Sequence, residues 1–168
     1  MKQKGKKQLF QAVKPARGKS VAEALDSRWQ MDLAVFLNQP AVVAEATLKY
    51  ILVCINVFDR YLYEQPMQTK NPKKGQETVA EILGYTLKSP ELISNDQGAE
   101  FQKDVTEYVA RQKIANKLKA VGDVNGIGVI DKAIQSLKQR LAQLATAGGT
   151  WASVLPRAVA GINNTPKP

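Results

Sequence analysis

Three aspartates in this chain stand where an acid is either costly or well aimed. Asp32 lies inside WQMDLAVF (29–36), an apolar strand-like run in which aspartate is depleted. Asp96 closes the apolar piece of ELISNDQGAEF (91–101), and Asp131 opens the amphipathic stretch GVIDKAIQSLKQRL (128–141). The chain has no histidine and a single cysteine, Cys54, which excludes Ser-His-Asp and Cys-His nucleophiles and ordinary zinc fingers. Three converging carboxylates are oxygen donors suited to Mg2+ or Mn2+. Two such ions about 3.5–4 Å apart can activate an attacking oxygen and stabilise the leaving oxygen of a phosphodiester. Without cations the same carboxylates would repel one another. Plainer readings stand beside this one. Asp96 suits a turn or a cap, and Asp131 suits the positive end of a helix dipole.

The elements that must bring these acids together follow from hydrophobic periodicity. Residues 29–36 suit a strand, LNQPAV a turn or excursion, and LKYILVCINVF (48–58) a central strand buried on both faces. YLYEQPM (61–67) alternates as a neighbour, so the first three strands form an antiparallel meander. After a polar loop, TKNPKKGQ, the segment ETVAEILGYTLKS carries Val79, Ile82, Leu83 and Leu87 at helical spacing. Then come the strand ELIS, a helix from Ala99 to Arg111, the strand KIANKL and a glycine-rich loop, KAVGDVNGIG. A long helix from Val129 to Ala145 and a last one in TWASVLPRAVAGI end the order. The expected fold is α/β: a five-stranded mixed sheet flanked by helices. If the first and fourth strands are neighbours, Asp32 meets Asp96, and the long helix can bring in Asp131.

Composition sets the partners. The 168 residues suit one domain, with a basic N-terminal arm over 1–25 and the core over 26–168. The net charge of +9 favours a polyanion such as nucleic acid. No apolar run approaches the ~20 residues of a membrane span. Cys54 lies inside YILVCINVF and reads as a core residue, and one cysteine suits a reducing, intracellular compartment.

WQMDL, YILVCINVFDRYLY, ELISNDQGAEF, GVIDKAIQSLKQRL and WASVLPRAVAGINNTP, in this order, resemble the catalytic core of retroviral-type integrases. That family includes the integrases of retrotransposons and of Maverick/Polinton-like elements. The resemblance covers residues 27–168 and implies an RNase H-like fold. It also implies two divalent ions held by an Asp…Asp…Glu triad, with DNA 3′-end processing and strand transfer as the activity. Carried over, the ligands are Asp32, Asp96 and Asp131. Lys138 and Gln135 fall at positions that contact DNA in the family, with Lys132, Lys119 and Lys117 as further candidates. The resemblance implies DNA as partner, with RNA as the other polyanion, a homodimer or higher oligomer, and a nuclear location for a chain active on DNA.

The departures are specific. Asp131 replaces glutamate, one methylene shorter, one residue before the family's usual spacing. An alignment anchored on Asn125-Gly126 instead sets Val129 at that place and leaves an inactive domain; the downstream helix favours Asp131. Ile134 and Lys167 replace an asparagine and a histidine, LKAVGD replaces the Tyr/His-Pro-Gln segment, and Asn56 and Asp59 stand where Asp and Ser are usual. No His/Cys region precedes the core in this sequence and nothing follows Pro168. A fragment, or a reduced or domesticated relative, is therefore expected. A catalytically silent nucleic-acid-binding or structural module is the alternative to an enzyme.

Overall fold

The computed structural model describes residues 21–96, 98, 101–120, 127–145 and 149–166. Most of the expected basic arm, the Asn125-Gly126 anchor and Glu100 lie outside the described residues.

Strand β1 (Arg28–Val35) alternates, burying Trp29, Met31 and Leu33 on one face. Short strands β2 (Ala41–Val43) and β3 (Ala46–Leu48) form a hairpin of their own. Strand β4 (Tyr50–Asn56) is buried at every position, as its apolar run requires. Each fully covered aliphatic side chain there contributes roughly 1.5–3 kcal/mol. Strand β5 (Leu62–Met67) completes an antiparallel β1–β4–β5 meander. Helix α1 (Pro72–Thr86), strand β6 (Leu92–Asn95), helix α2 (Lys103–Arg111) and strand β7 (Ala115–Leu118) follow. Helices α3 (Gly128–Leu144) and α4 (Trp151–Asn164) close the chain. The main sheet has the order β5-β4-β1-β6-β7, with β6 and β7 parallel to β1.

The sheet carries a core on each face. Met31, Leu52 and Ile93 pack with Val79 and Ile82 of α1 and Val105 and Val109 of α2. On the opposite face, Ala34, Ile51 and Val53 pack with Ile130 and Leu137 of α3 and Leu155 of α4. Among the described residues no helix is long and apolar enough to cross a membrane.

Several boundaries differ from expectation. LNQPAV is not a plain turn, since Ala41 and Val42 belong to the β2–β3 hairpin; its turn residues Ala44 and Glu45 both take positive φ. Helix α1 starts at Pro72 rather than Glu77, because the Asn71 side chain accepts the Lys74 N–H (2.8 Å) and Pro72 needs no donor there. Leu87 is not part of its apolar stripe: it caps the helix with φ 53° and is 92% exposed. Helix α2 begins at Lys103 rather than Ala99; Phe101 anchors the core just ahead of it, its N–H bonded to the Gly98 carbonyl (3.0 Å).

Candidate metal and nucleic-acid site

The β1–β6 pairing is parallel, with Gln30 opposite Ser94. The pairing stops there: Asp32 lies two residues further along β1, and Asp96 two further along the chain, just past the end of β6. The β6–β7 pairing puts Ser94 opposite Lys117 and Asn95 opposite Leu118. Directly opposed residues share a sheet face. Gln30, Ser94 and Lys117 therefore make one row across three strands, and Asp32, Asp96 and Lys119 each lie two residues beyond it. Gln30 and Asp32 of β1 lie on the face that α3 covers, since Trp29, Met31 and Ile93 point to the other core.

Asp32 is half-buried in mid-strand, and its Oδ1 accepts the Leu33 N–H (2.8 Å). Asp96, also half-buried, follows the last residue of β6. Its Oδ1 accepts the Gly98 N–H (2.9 Å), and its carbonyl accepts from Asn95 Nδ2 (3.2 Å). Asp96 is thus a turn residue in fact, and the turn fixes its carboxylate at the carboxyl end of β6.

Helix α3 packs on β1 and β4, whereas α4 lies over β5. Gly161 of α4 faces the Arg140 guanidinium, so that flank of α3 looks toward α4. At about 100° per residue, Asp131 and Lys138 project from the opposite flank, toward β1 and β6, with Gln135 beside them. Lys138 Nζ lies 5.5 Å from the centroid of Phe36, the residue that follows β1. Asp131 is exposed in the first turn of α3, where a negative charge suits the helix dipole. Among the described residues, no three His, Cys, Asp or Glu side chains are grouped as an ion cage. The topology thus places Asp32 and Asp96 on neighbouring chain segments, β1 and the end of β6, and Asp131 in the first turn of the helix that packs on β1. Lys132 is exposed on the same helix, and Lys117 is exposed on the edge strand β7.

Sequence reasoning passed over Gln30. It is fully buried, and its Oε1 accepts the Ile130 N–H across the β1–α3 interface (3.0 Å). It was read only as part of the WQMDL motif, with no role of its own.

Carboxylate oxygens of this kind are the donor type that hard divalent cations take.

No family model matches the chain. It is 27% identical over 121 residues to the Gag-Pol polyprotein of gibbon ape leukemia virus, covering 70% of this chain and 7% of that one. It is 27% identical over 123 residues to the Pol polyprotein of radiation murine leukemia virus, covering 71% and 21%. The chain therefore spans less than a quarter of the length of these relatives. Among solved structures, the catalytic core domain of BIV integrase superposes with a TM-score of 0.66 at 17% identity, covering 85% of this chain and 87% of that one. A chain of the simian T-cell lymphotropic virus intasome gives 0.68 at 13% identity, covering 83% and 49%. The chain has the RNase H-like fold of the retroviral integrase catalytic core, and its motifs resemble that core from the first strand to the last helix.

Proposed function

We propose that this domain is a polynucleotidyl transferase core that processes DNA 3′ ends and joins them to target DNA. The observation that supports this is the parallel pairing of β1, which carries Asp32, with β6, which Asp96 directly follows. Asp32, Asp96 and Asp131 would hold two Mg2+ or Mn2+ ions. When bound, such ions would offset charge on the attacking and leaving oxygens of a phosphodiester. In strand transfer a DNA 3′-hydroxyl oxygen bonds to a target phosphorus while the bond to that phosphorus's own 3′ oxygen breaks. End processing uses water as the attacking oxygen.

The cationic side chains position the substrate. Lys117 and Lys119 lie at the β7 edge, while Lys132, Gln135 and Lys138 extend along α3. Together they would track a phosphate backbone. Similarity to an intasome chain supports DNA as the partner and an oligomer as the working form. A nuclear location follows from that activity.

The test is a joining assay on labelled duplex ends with Mn2+. Activity is expected in the wild type, with none for Asp96→Asn and none in excess chelator; activity that persists in chelator would sink the reading. One observation favours a second reading, a silent nucleic-acid-binding module: Asp131 is exposed, and among the described residues the carboxylates are not gathered in threes. DNA binding with no Mn2+ response in the wild type would establish that alternative.

A further inference from the structure

Helix α3 lacks a side-chain cap of its own. Its N-cap residue is Ile127, which makes no side-chain capping bond. An N-cap side chain normally takes the N–H of the second or third helical residue. The third helical residue is Ile130, fully buried, and its N–H is satisfied from outside the helix by Gln30 Oε1 at 3.0 Å. The missing cap is thus supplied by strand β1.

Two features make this bond more than satisfaction of a stray donor. Gln30 lies two residues before Asp32 on the same strand face, and Ile130 immediately precedes Asp131. One hydrogen bond therefore joins the strand that carries the first carboxylate to the turn that carries the third. Gln30 is also completely enclosed, so its amide has little freedom to reorient. Ile127 and Ile130 are both buried in the core at the opening of α3, so packing seats this turn and the Gln30 bond fixes its register against β1.

We propose that Gln30 is a positioning residue: it caps α3 from the neighbouring strand and sets where Asp131 stands relative to Asp32. The role rests on the metal-dependent reading of the site given above. It separates two properties of the domain. Substrate affinity resides in the lysines of α3 and β7, whereas completion of the carboxylate set depends on the Gln30–Ile130 bond. Removing the acceptor without changing side-chain volume should leave DNA binding intact and disturb the reaction.

The experiment compares wild type, Gln30→Met and Gln30→Glu in the Mn2+-dependent joining assay, with amide hydrogen exchange measured on the same proteins. Methionine fills the site without accepting a hydrogen bond, and glutamate restores an acceptor oxygen. For Gln30→Met the expected result is faster exchange at Ile130. Its kcat should fall about 10–100-fold, as for the loss of other residues that orient metal ligands, with KM for DNA within about twofold. Gln30→Glu should regain slow exchange at Ile130, with only partial recovery of kcat because its enclosed carboxyl adds charge beside Asp32. A merely structural role would not give this separation of kcat from KM, nor its rescue by glutamate. An active wild type with unchanged kcat in Gln30→Met overturns the positioning role alone. A wild type with no Mn2+-dependent activity overturns the functional reading and this role with it, whatever the exchange at Ile130.

Discussion

Lys138 Nζ stands 5.5 Å from the centroid of the Phe36 ring, and that ring stacks in turn on Trp151 at 4.6 Å. An exposed cation–π contact of this kind is worth about 0.5–1 kcal/mol, enough to bias a flexible side chain without immobilising it. The ammonium is therefore held on the flank of α3 that also bears Asp131 and Gln135, where a phosphate can compete for it. Lys138→Ala is expected to weaken DNA binding and to lower the slope of log K against log salt by about 1, with little loss of thermal stability. Lys138→Arg should keep the slope. Fluorescence anisotropy over a salt series reads both, and an unchanged slope in Lys138→Ala would remove this residue from the interface.

The two central aspartates allow their charge to be removed without loss of structure. The Asp96 carboxylate accepts the Gly98 N–H and that of Asp32 accepts the Leu33 N–H, and an asparagine oxygen can accept either bond. Asp96→Asn and Asp32→Asn should therefore fold normally, with metal-free melting temperatures close to the wild type. Each should lose the upward shift in Tm that saturating Mn2+ gives the wild type, which for ion at 100 times its Kd is worth about 2.7 kcal/mol. Asp96→Ala, by contrast, should also lose roughly 1 kcal/mol from the turn. Differential scanning fluorimetry with and without Mn2+ separates the two losses, and a full Mn2+ shift in Asp96→Asn would exclude this residue as a ligand.

Cys54 lies on β4, 2% exposed, and burial pushes its thiol from 9.0 to about 12. Only about one part in ten thousand would be thiolate at pH 8, and no route leads a reagent to it. A chromogenic disulfide reagent should leave the folded chain unlabelled and react with one equivalent after denaturation. Because the folded-state value is raised, ionisation favours the unfolded chain, so this group lowers stability as pH rises above 9.0. Stoichiometric labelling of the native protein at pH 8 would contradict its place in the core.

Much of this was legible in the sequence because period and burial agree. β4 reads as central since its run is apolar and all seven of its residues are buried, and β1 reads as a strand from Trp29, Met31 and Leu33 at alternate positions. The β2–β3 hairpin was not legible: its positive-φ turn uses Ala44 and Glu45, where glycine or asparagine would give the signal. The Asn71-Pro72 start of α1 was legible in principle but masked by the lysines and glycine that follow it. For the site, Asp96 could be placed by its strand and turn alone. That β1 and β6 are parallel neighbours, with β7 beyond them, depends on the order β1-β6-β7, which only the structure reveals. Gln30 is a further case. A polar residue within an apolar strand signals a partner, yet that partner is a backbone N–H 100 residues away.

Glu64 tests the other end of the electrostatic balance. It sits on β5 opposite Val53, and its Oε2 is buried without a hydrogen-bond partner. Burial raises its carboxyl above the ordinary 4.5. A raised carboxyl binds its proton more tightly in the folded chain than in the unfolded one. Stability therefore falls as pH climbs from 4.5 through the folded-state value, and the full penalty persists at neutral pH. Glu64→Gln keeps the shape and removes the charge. It should raise stability at pH 7 by about 1 kcal/mol, the low end for relieving an unsatisfied buried group because Glu64 is only partly enclosed. For a domain of this size that corresponds to roughly 2–4 °C in Tm. Below pH 4.5 the carboxyl is neutral in both states, and the difference between variant and wild type should vanish. Paired melting curves from pH 4 to pH 8 decide it: a gain that grows toward acid would show that the Glu64 charge is compensated in the folded chain.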